Sequence, residues 1–337
     1  MKIFQPITVK NIEFNNRVVM APMVPFGLAK GNGTMGMELV RHYLERASTG
    51  IGLMISQAHS VTPDQTIDGV GVCSDAQLSE LSTIAAACHE NNVRFFVQLA
   101  YPGYDHNNGD TIDSLSENTL AKIEREFINA AKICFQAGCD GIELHGAHGF
   151  FLNMFSSALS NKRTDKYGGD LAGRLTLVTN ISQGIREFSN DNFILSYRMG
   201  WNESIEEDIA MAQMLEKLGI EMLHISTGIP FNRNISVPDG FPGNDVVYTG
   251  TQIKERINIP VIVVNDIETI RTGNYLIENN LSDFVAYGKP FLADENFIVK
   301  SLHDVDYKPC LKCKNCQWFT NGKRCPVQLK LKKKSIT

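Results

Sequence analysis

Residues 120–148 read LAKIEREFINAAKICFQAGCDGIELHGAH and contain the patterns of a helix, a turn and a buried strand. Apolar side chains recur at helical spacing through the first part, as at Ile123 and Phe127, which predicts a helix with one buried stripe. Gly138 follows as a candidate helix C-cap, and Gly141-Ile-Glu-Leu144 then predicts a strand. The stretch is therefore one αβ unit, and two histidines follow at the end of its strand.

The same alternation of a strand-like run and a helical pattern occurs eight times along the chain. The runs are almost continuously apolar, as in Val261-Ile-Val-Val264, which is typical of parallel strands buried on both faces. This count predicts an α/β fold, the TIM (β/α)8 barrel, with a doubly wound sheet as the alternative. The predicted strands are Arg17–Met23, Gly52–Ala58, Arg94–Leu99, Asp140–His145, Phe193–Arg198, Met222–Thr227, Val261–Asp266 and Phe284–Lys289.

Composition and charge limit the classes of function. The chain has 337 residues, 43% of them hydrophobic, and its 32 basic and 37 acidic residues give a net charge of −5. We therefore expect a small-molecule substrate, no nucleic-acid partner and no membrane segment, with the oligomeric state open. The N-terminus lacks the apolar core of a signal peptide, so we expect a cytoplasmic protein whose eight cysteines form no disulfides.

The two histidines at the end of the fourth predicted strand, His145 and His148, are the first candidate catalytic residues. Two N–H donors so close together can hold and polarise a carbonyl oxygen or a small anion. A His-x-x-His pair can also bind zinc, although no suitable third ligand is close in sequence. The pair is followed by a polar loop, Ser160-Asn-Lys-Arg-Thr-Asp-Lys-Tyr-Gly-Gly169.

This loop and the histidine pair resemble the Old Yellow Enzyme family of FMN-dependent oxidoreductases. The resemblance extends over roughly residues 3–303 and includes Asn16-Arg-Val-Val-Met-Ala-Pro-Met23, Gln98-Leu99 and Gly288-Lys-Pro-Phe-Leu-Ala-Asp294. It implies a TIM barrel that binds FMN, which NADH or NADPH reduces before a hydride passes to an activated alkene.

The resemblance also implies which residues contact the flavin. The phosphate would lie at Asn265-Asp266 and Gly288-Lys289, where relatives have patterns like Gly-Gly and Gly-Arg. Gln98 would bond the pyrimidine edge, and Arg198 would place a positive charge beside the reduced ring. The remaining positions beneath the ring are Pro22, Met23, Val24 and Ala58. Many relatives carry Thr or Cys at the position of Val24, so this chain should lack that tuning hydrogen bond.

In relatives the histidine pair holds the carbonyl of the substrate, and a tyrosine two residues after the second histidine supplies a proton. Phe150 occupies that position here and has no proton to give. Tyr101, or the nearby Tyr104, is a candidate replacement, because both follow a predicted strand end. Water could also protonate the product, or the physiological reaction could be a different one.

Four cysteines follow the barrel pattern: Cys310, Cys313, Cys316 and Cys325. This clustering predicts a tetrathiolate metal site. The segment resembles the [4Fe–4S] region of the 2,4-dienoyl-CoA reductase and trimethylamine dehydrogenase group, and zinc or empty thiols are the alternatives. Those relatives continue into further domains, so a cluster here would exchange electrons with a separate redox partner. We accordingly predict an FMN-binding barrel at 1–305 and a cysteine-rich extension at 306–337.

The leading functional hypothesis is an NAD(P)H-dependent FMN oxidoreductase that reduces a carbonyl-conjugated alkene or similar electrophile held by His145 and His148. The alternatives are a flavin dehydrogenase or electron-transfer subunit that uses the iron–sulfur site, and a flavin-binding protein without catalysis.

Overall fold

The structure, a computed structural model, describes residues 1–334, so residues 335–337 of the predicted extension lie outside the described range. Eight parallel strands close into a barrel, in which the last strand along the chain pairs with the first of the eight. The predicted TIM barrel is thus confirmed, and the doubly wound alternative is wrong. The barrel strands are β3 Val18–Met20, β4 Leu53–Ser60, β5 Arg94–Ala100, β6 Gly141–Gly146, β7 Ile194–Gly200, β8 Met222–Ser226, β9 Val261–Val263 and β10 Phe284–Tyr287.

Helices surround the barrel, and several short ones lie in its loops and in the extension. Their bounds are α1 Gly36–Ala47, α2 Leu78–Glu90, α3 Glu117–Gln136, α4 Phe151–Ser156, α5 Leu171–Arg174, α6 Thr176–Arg186, α7 Ile205–Lys217, α8 Asp245–Lys254, α9 Ile270–Glu278, α10 Lys289–Ala293, α11 Phe297–Ser301 and α12 Pro326–Lys334. Within residues 1–334, no helix combines the length and the apolar character needed to cross a bilayer.

The helix α3 and the strand β6 form the unit that the sequence predicted. The side chain of Ser116 accepts a hydrogen bond from the backbone N–H of Thr119 and so caps the start of α3. Gly138 lies just beyond its end at φ +81°, and Gly219 lies after α7 at φ +85°. Both glycines therefore adopt the left-handed conformation that a helix C-cap requires, and each turns the chain towards the next strand.

An antiparallel hairpin that the sequence reasoning missed, β1 Ile7–Val9 and β2 Ile12–Phe14, precedes the barrel. Its strands are only three residues long, too short to show a clear alternation. Phe14 is fully buried, with its ring 5.1 Å from that of Phe284 and 6.2 Å from that of Phe96. Phe14 belongs to the apolar cluster inside the barrel and packs against Phe284, the first residue of β10. The hairpin therefore closes the end of the barrel opposite to the strands' carboxyl termini.

Three predicted strands extend too far at their carboxyl ends. β3 ends at Met20, β9 at Val263 and β10 at Tyr287, so Met23, Asn265–Asp266 and Lys289 lie beyond the barrel sheet. The chain turns away from the sheet at these points, as the positive φ angles of Asn265 and Asp266 show. The predicted site residues therefore lie on the turns at the strand ends, where TIM barrels carry their functional groups.

The cysteine-rich extension packs against α1 and α10. Trp318 and Cys325 are buried together with Leu292 in a small apolar cluster. The Trp318 ring also lies 5.9 Å from that of His42 on α1. All eight cysteines are free thiols, and Cys88, Cys134 and Cys139 are buried, as expected for small apolar side chains.

Candidate active site

A cleft of about 930 Å³ opens at the carboxyl ends of the barrel strands. Residues at or just after the ends of β3, β6, β7, β8, β9 and β10 line it, together with three residues of the extension. The predicted site residues that line the cleft are Met23, His148, Arg198, Asn265, Asp266, Gly288, Lys289 and Cys310, and further lining residues include Ser226, Thr227, Glu268 and Lys308.

The other predicted residues lie around this cleft and do not line it. Pro22 and Val24 flank Met23 in the turn after β3. Ala58 and Gln98 are direct partners across β4 and β5, and His145 is the partner of Arg198 across β6 and β7. Their roles as flavin or substrate contacts remain predictions.

The histidine pair is arranged with the two imidazole rings at 69° to each other and their centroids 5.1 Å apart. His148 Nε2 lies 2.7 Å from Ser226 Oγ, while Nδ1 of the buried His145 has no partner among the described residues. Burial, reinforced by the Arg198 charge, lowers the pKa of His145 to about 3. The same two causes, with His145 after them, lower the pKa of His148. At neutral pH both rings are therefore uncharged, and each offers an N–H donor.

Behind this pair lies a buried network that the sequence reasoning missed. Gln98 Nε2 donates to Glu143 Oε1 at 2.7 Å, and Glu143 Oε2 lies 2.9 Å from His224 Nδ1. Both Glu143 and His224 are fully buried. Burial alone would raise the pKa of Glu143, but His224 and Arg198 outweigh it and the pKa is lowered. A glutamate inside an apolar parallel strand could have indicated this network, because an unpaired buried charge is strongly disfavoured.

Arg198 occupies the middle of this layer of polar residues. It is buried, its Nη2 lies 3.3 Å from Ser226 Oγ, and its Nε has no partner among the described residues. Burial lowers its pKa, and the negative charge of Glu143 opposes that shift. Since the guanidinium has unused donors and lines the cleft, it can bind a polar ligand edge there.

Asn265 and Asp266, at positions where relatives have glycine, keep a glycine-like backbone. Asn265 has φ +106° and Asp266 has φ +53°, and Asn and Asp are the side chains that most often adopt positive φ. The Asp266 carboxylate accepts a hydrogen bond from Lys312 Nζ at 3.0 Å. The carboxylate that would repel a phosphate is thus paired with a cation of the extension.

Gly288 lies close to the side chain of Met23. A Cβ at this position would lie 2.9 Å from Met23 Sδ, so a larger residue would require the flexible Met23 side chain to shift. Gly288 therefore lets the turn after β10 approach Met23, and Lys289 follows it at the start of α10.

Within the described chain, no tyrosine lines the cleft to replace the missing proton donor. Phe150 lies with its ring centroid 5.4 Å from that of His145. Tyr101 packs 4.8 Å from the ring of Phe151 and 6.5 Å from that of Tyr104. Burial, followed by Glu126, raises the pKa of Tyr101, which is not among the residues that line the cleft. This placement favours aromatic packing, and a catalytic role for Tyr101 stays a prediction.

The four extension cysteines line one cavity of about 800 Å³, which shares Lys289 and Cys310 with the main cleft. Burial raises the pKa of the Cys310 thiol, and the backbone N–H of Lys312, 3.5 Å from Cys310 Sγ, opposes that shift. Four thiols on the wall of one cavity are the donor set of a tetrathiolate metal site. In residues 1–334, however, no three potential ligands are gathered closely enough to form a metal site. Metal binding would therefore require the segment to close around the ion.

The cleft fits the flavin that the sequence resemblance implies. Unpartnered buried polar atoms occur on His145 and Arg198, the latter in the lining itself. The turn at Asn265 and Asp266, which has a left-handed backbone, lines the same cleft together with Lys289. Backbone N–H groups of such a turn and a lysine can bind a phosphate group. The apolar lining between them includes Met23, Val264 and Ala286.

Two curated proteins of known activity class are similar to this chain. The NADH oxidase of Thermoanaerobacter brockii is 29% identical over 345 residues, which cover 92% of this chain and 52% of that protein. The NADPH dehydrogenase of Clostridium acetobutylicum is 29% identical over 326 residues, which cover 89% of this chain and 94% of that protein. The chain thus spans about half the length of the first relative and nearly all of the second.

Solved structures show the same fold. The 2-naphthoyl-CoA reductase in complex with 2-naphthoyl-CoA has a TM-score of 0.79 at 20% identity, covering 94% of this chain and 54% of that one. An old yellow enzyme homologue from Zymomonas mobilis has a TM-score of 0.76 at 20% identity, covering 97% and 99%. A sequence profile also matches residues 2–114 and 106–306, nearly the whole barrel. On this match, the chain belongs to the NADH:flavin oxidoreductase / NADH oxidase family.

Proposed function

We propose that this protein is an FMN-dependent oxidoreductase that uses NADH or NADPH to reduce an alkene conjugated to a carbonyl group. The observation that carries the proposal is the His145–His148 pair, with ring centroids 5.1 Å apart, at a cleft that His148, Arg198 and the turn after β9 line. FMN, when bound, would accept a hydride from the nicotinamide and deliver it to the β-carbon of the alkene.

The histidines bind the carbonyl oxygen and stabilise the negative charge that develops on it. Neutral imidazoles are suited to this task, because each keeps an N–H donor without losing a proton to the substrate oxygen. Ser226 holds His148 through Nε2, which leaves Nδ1 of that ring for other contacts. Arg198 supports the pair by placing a fixed positive charge in the same buried layer.

We further propose that water protonates the α-carbon. Phe150 cannot donate a proton, and no tyrosine is among the lining residues of the cleft within the described chain. A Phe150→Tyr variant should accelerate enone reduction by about 10-fold or more, since a positioned general acid contributes on the order of 10²–10⁴. Tyr101→Phe should leave the rate unchanged, and a large loss in that variant would instead establish Tyr101 as the donor.

Anaerobic mixing tests the proposal as a whole. The purified protein should show a flavin absorption spectrum, which NADH or NADPH should bleach and an enone such as cyclohexenone should restore. A protein that binds FMN but is bleached by neither nucleotide would be a flavin-binding protein of another function. Protein that binds no FMN would contradict the proposal itself.

A second candidate function is electron transfer through the cysteine site. It is favoured by one observation: Lys289 and Cys310 line both the main cleft and the cysteine cavity, so the two sites share a wall. Cys310, Cys313, Cys316 and Cys325 would hold either a [4Fe–4S] cluster or zinc. Iron, zinc and acid-labile sulfide assays on anaerobically purified protein distinguish these. Only the iron–sulfur cluster can carry electrons, because zinc is not redox-active. A zinc-loaded or a metal-free protein with full flavin content would therefore exclude this function.

A further inference from the structure

We infer that the extension completes the phosphate site of the flavin, with Lys312 as a positioning residue that neutralises the carboxylates of the turn after β9. The inference rests on the proposed function, because it takes FMN as the ligand of the main cleft. It concerns the segment 308–312, which family resemblance assigned only to the cysteine site.

The contacts of Lys312 are the first line of support. Its Nζ lies 3.0 Å from Asp266 Oδ2 and 2.9 Å from Glu268 Oε1. Lys308 Nζ lies 3.7 Å from the other carboxylate oxygen of Glu268. Two lysines of the extension therefore face the two acidic residues of one turn.

The backbone of both partners is the second line of support. Lys312 has φ +49° and Asp266 has φ +53°, a region that glycine occupies freely and other residues enter at a cost. The Lys312 backbone N–H contacts Cys310 Sγ at 3.5 Å, and its side chain pairs with both Asp266 and Glu268. The residue is therefore held at the turn through its backbone as well as its charge.

The position of the segment is the third line of support. Lys308, Pro309 and Cys310 line the main cleft together with Lys289 and Asp266. A phosphate at this turn would meet Lys289 and Lys308, but it would also meet the carboxylates of Asp266 and Glu268. Without Lys312 these negative charges would repel it, so Lys312 makes the turn able to accept a phosphate.

Flavin binding to three variants tests this inference. We would measure the dissociation constants of FMN and of riboflavin, which lacks the phosphate, by quenching of flavin fluorescence. The variants are Lys312→Met, the double variant Asp266→Asn/Lys312→Met, and the control Lys314→Met, which removes a lysine of the same segment. Iron and zinc contents are measured in each preparation, so that lost metal is not mistaken for a lost ion pair.

We expect Lys312→Met to weaken FMN binding by about two- to five-fold and to leave riboflavin binding unchanged, as loss of a half-exposed charge contact predicts. The double variant should regain part of the FMN affinity, because an uncharged amide in place of the Asp266 carboxylate no longer repels the phosphate. Recovery is partial because Glu268 then has only Lys308 as its partner. The control should bind both ligands like the parent protein.

Three results would overturn the inference: equal FMN affinity in Lys312→Met and Lys314→Met, equal weakening of FMN and riboflavin, or no recovery in the double variant. Each is distinct from failure of the proposed function, in which the parent protein itself would bind no flavin.

Discussion

The two sides of the cleft are built in different ways. On the side of β5 to β8, Glu143 and His224 are completely buried and bonded to each other, and Gln98 is almost completely buried. On the side of β9 and β10, the ion pair between Asp266 and Lys312 leaves nearly half of each side chain exposed. On the first side the groups are held by hydrogen bonds that are shielded from water, whereas on the second side they are held by ion pairs that remain in contact with water. The two sides should therefore fail under different conditions.

Removal of the histidine pair should have the largest effect. In a His145→Ala/His148→Ala variant, we expect kcat/KM for an enone to fall by about 10²–10³, the usual loss when donors to a developing oxyanion are removed. FMN binding should be kept, because the proposed phosphate site lies on the other side of the cleft. Stopped-flow reoxidation of the reduced flavin by the enone measures the effect.

The control for that experiment is His303→Ala, which removes an exposed histidine remote in sequence from the pair. Retention of the parent rate in the double variant would show that the histidines do not hold the substrate. A loss of equal size in the control would point to a general effect on the fold.

Breaking the buried network should lower the free energy of unfolding more than removing an exposed charge does. Glu143→Gln removes one acceptor and leaves Arg198 without its buried counter-charge, so we expect the free energy of unfolding to fall by about 2–4 kcal/mol. Glu117→Gln is the matched control, since Glu117 pairs with Lys166 at the surface and should contribute little. Urea denaturation compares the two, and equal losses would show that the buried network stabilises the fold no more than a surface ion pair does.

Acid should weaken the buried side first. His145 has a pKa of about 3 in the folded protein and an ordinary value of 6.5, so the unfolded chain binds a proton that the folded one excludes. Stability is therefore fully present above pH 6.5 and falls as the pH drops towards 3, by up to about 1.4 kcal/mol per pH unit for this group. The slope of unfolding free energy against pH should be smaller in His145→Ala than in the parent protein, and identical slopes would refute this assignment.

The same contrast explains what could be predicted from the sequence. The eight strands and the histidine pair follow from local patterns, namely apolar runs of strand length and donors at a strand end. The hairpin β1–β2 was missed, because three-residue strands carry too little periodicity. The Glu143–His224 bond was missed as well, since it joins residues 81 positions apart.

Asn265 and Asp266, which stand where the resemblance implies glycine, show most clearly what the sequence alone cannot predict. From the sequence alone, an aspartate beside a phosphate position is an unexplained charge. Its partner, Lys312, lies 46 positions away in a segment that the sequence assigns to a metal site. The compensation becomes visible only when the fold brings the two together, because ion pairs leave no periodic pattern in a sequence.

The smallest expected effect is a difference between the two sides of the cleft in their sensitivity to salt. Raising the ionic strength from about 0.01 M to about 1 M shortens the Debye length from roughly 30 Å to roughly 3 Å, so it screens exposed charges far more than buried groups. We expect FMN binding to weaken by about three- to ten-fold, since the lysines that would face its phosphate are partly solvated. The KM for an uncharged enone should change by less than about two-fold, because neutral buried imidazoles are not screened. Equal sensitivity of both constants to salt would show that the two sides of the cleft do not differ as their burial indicates.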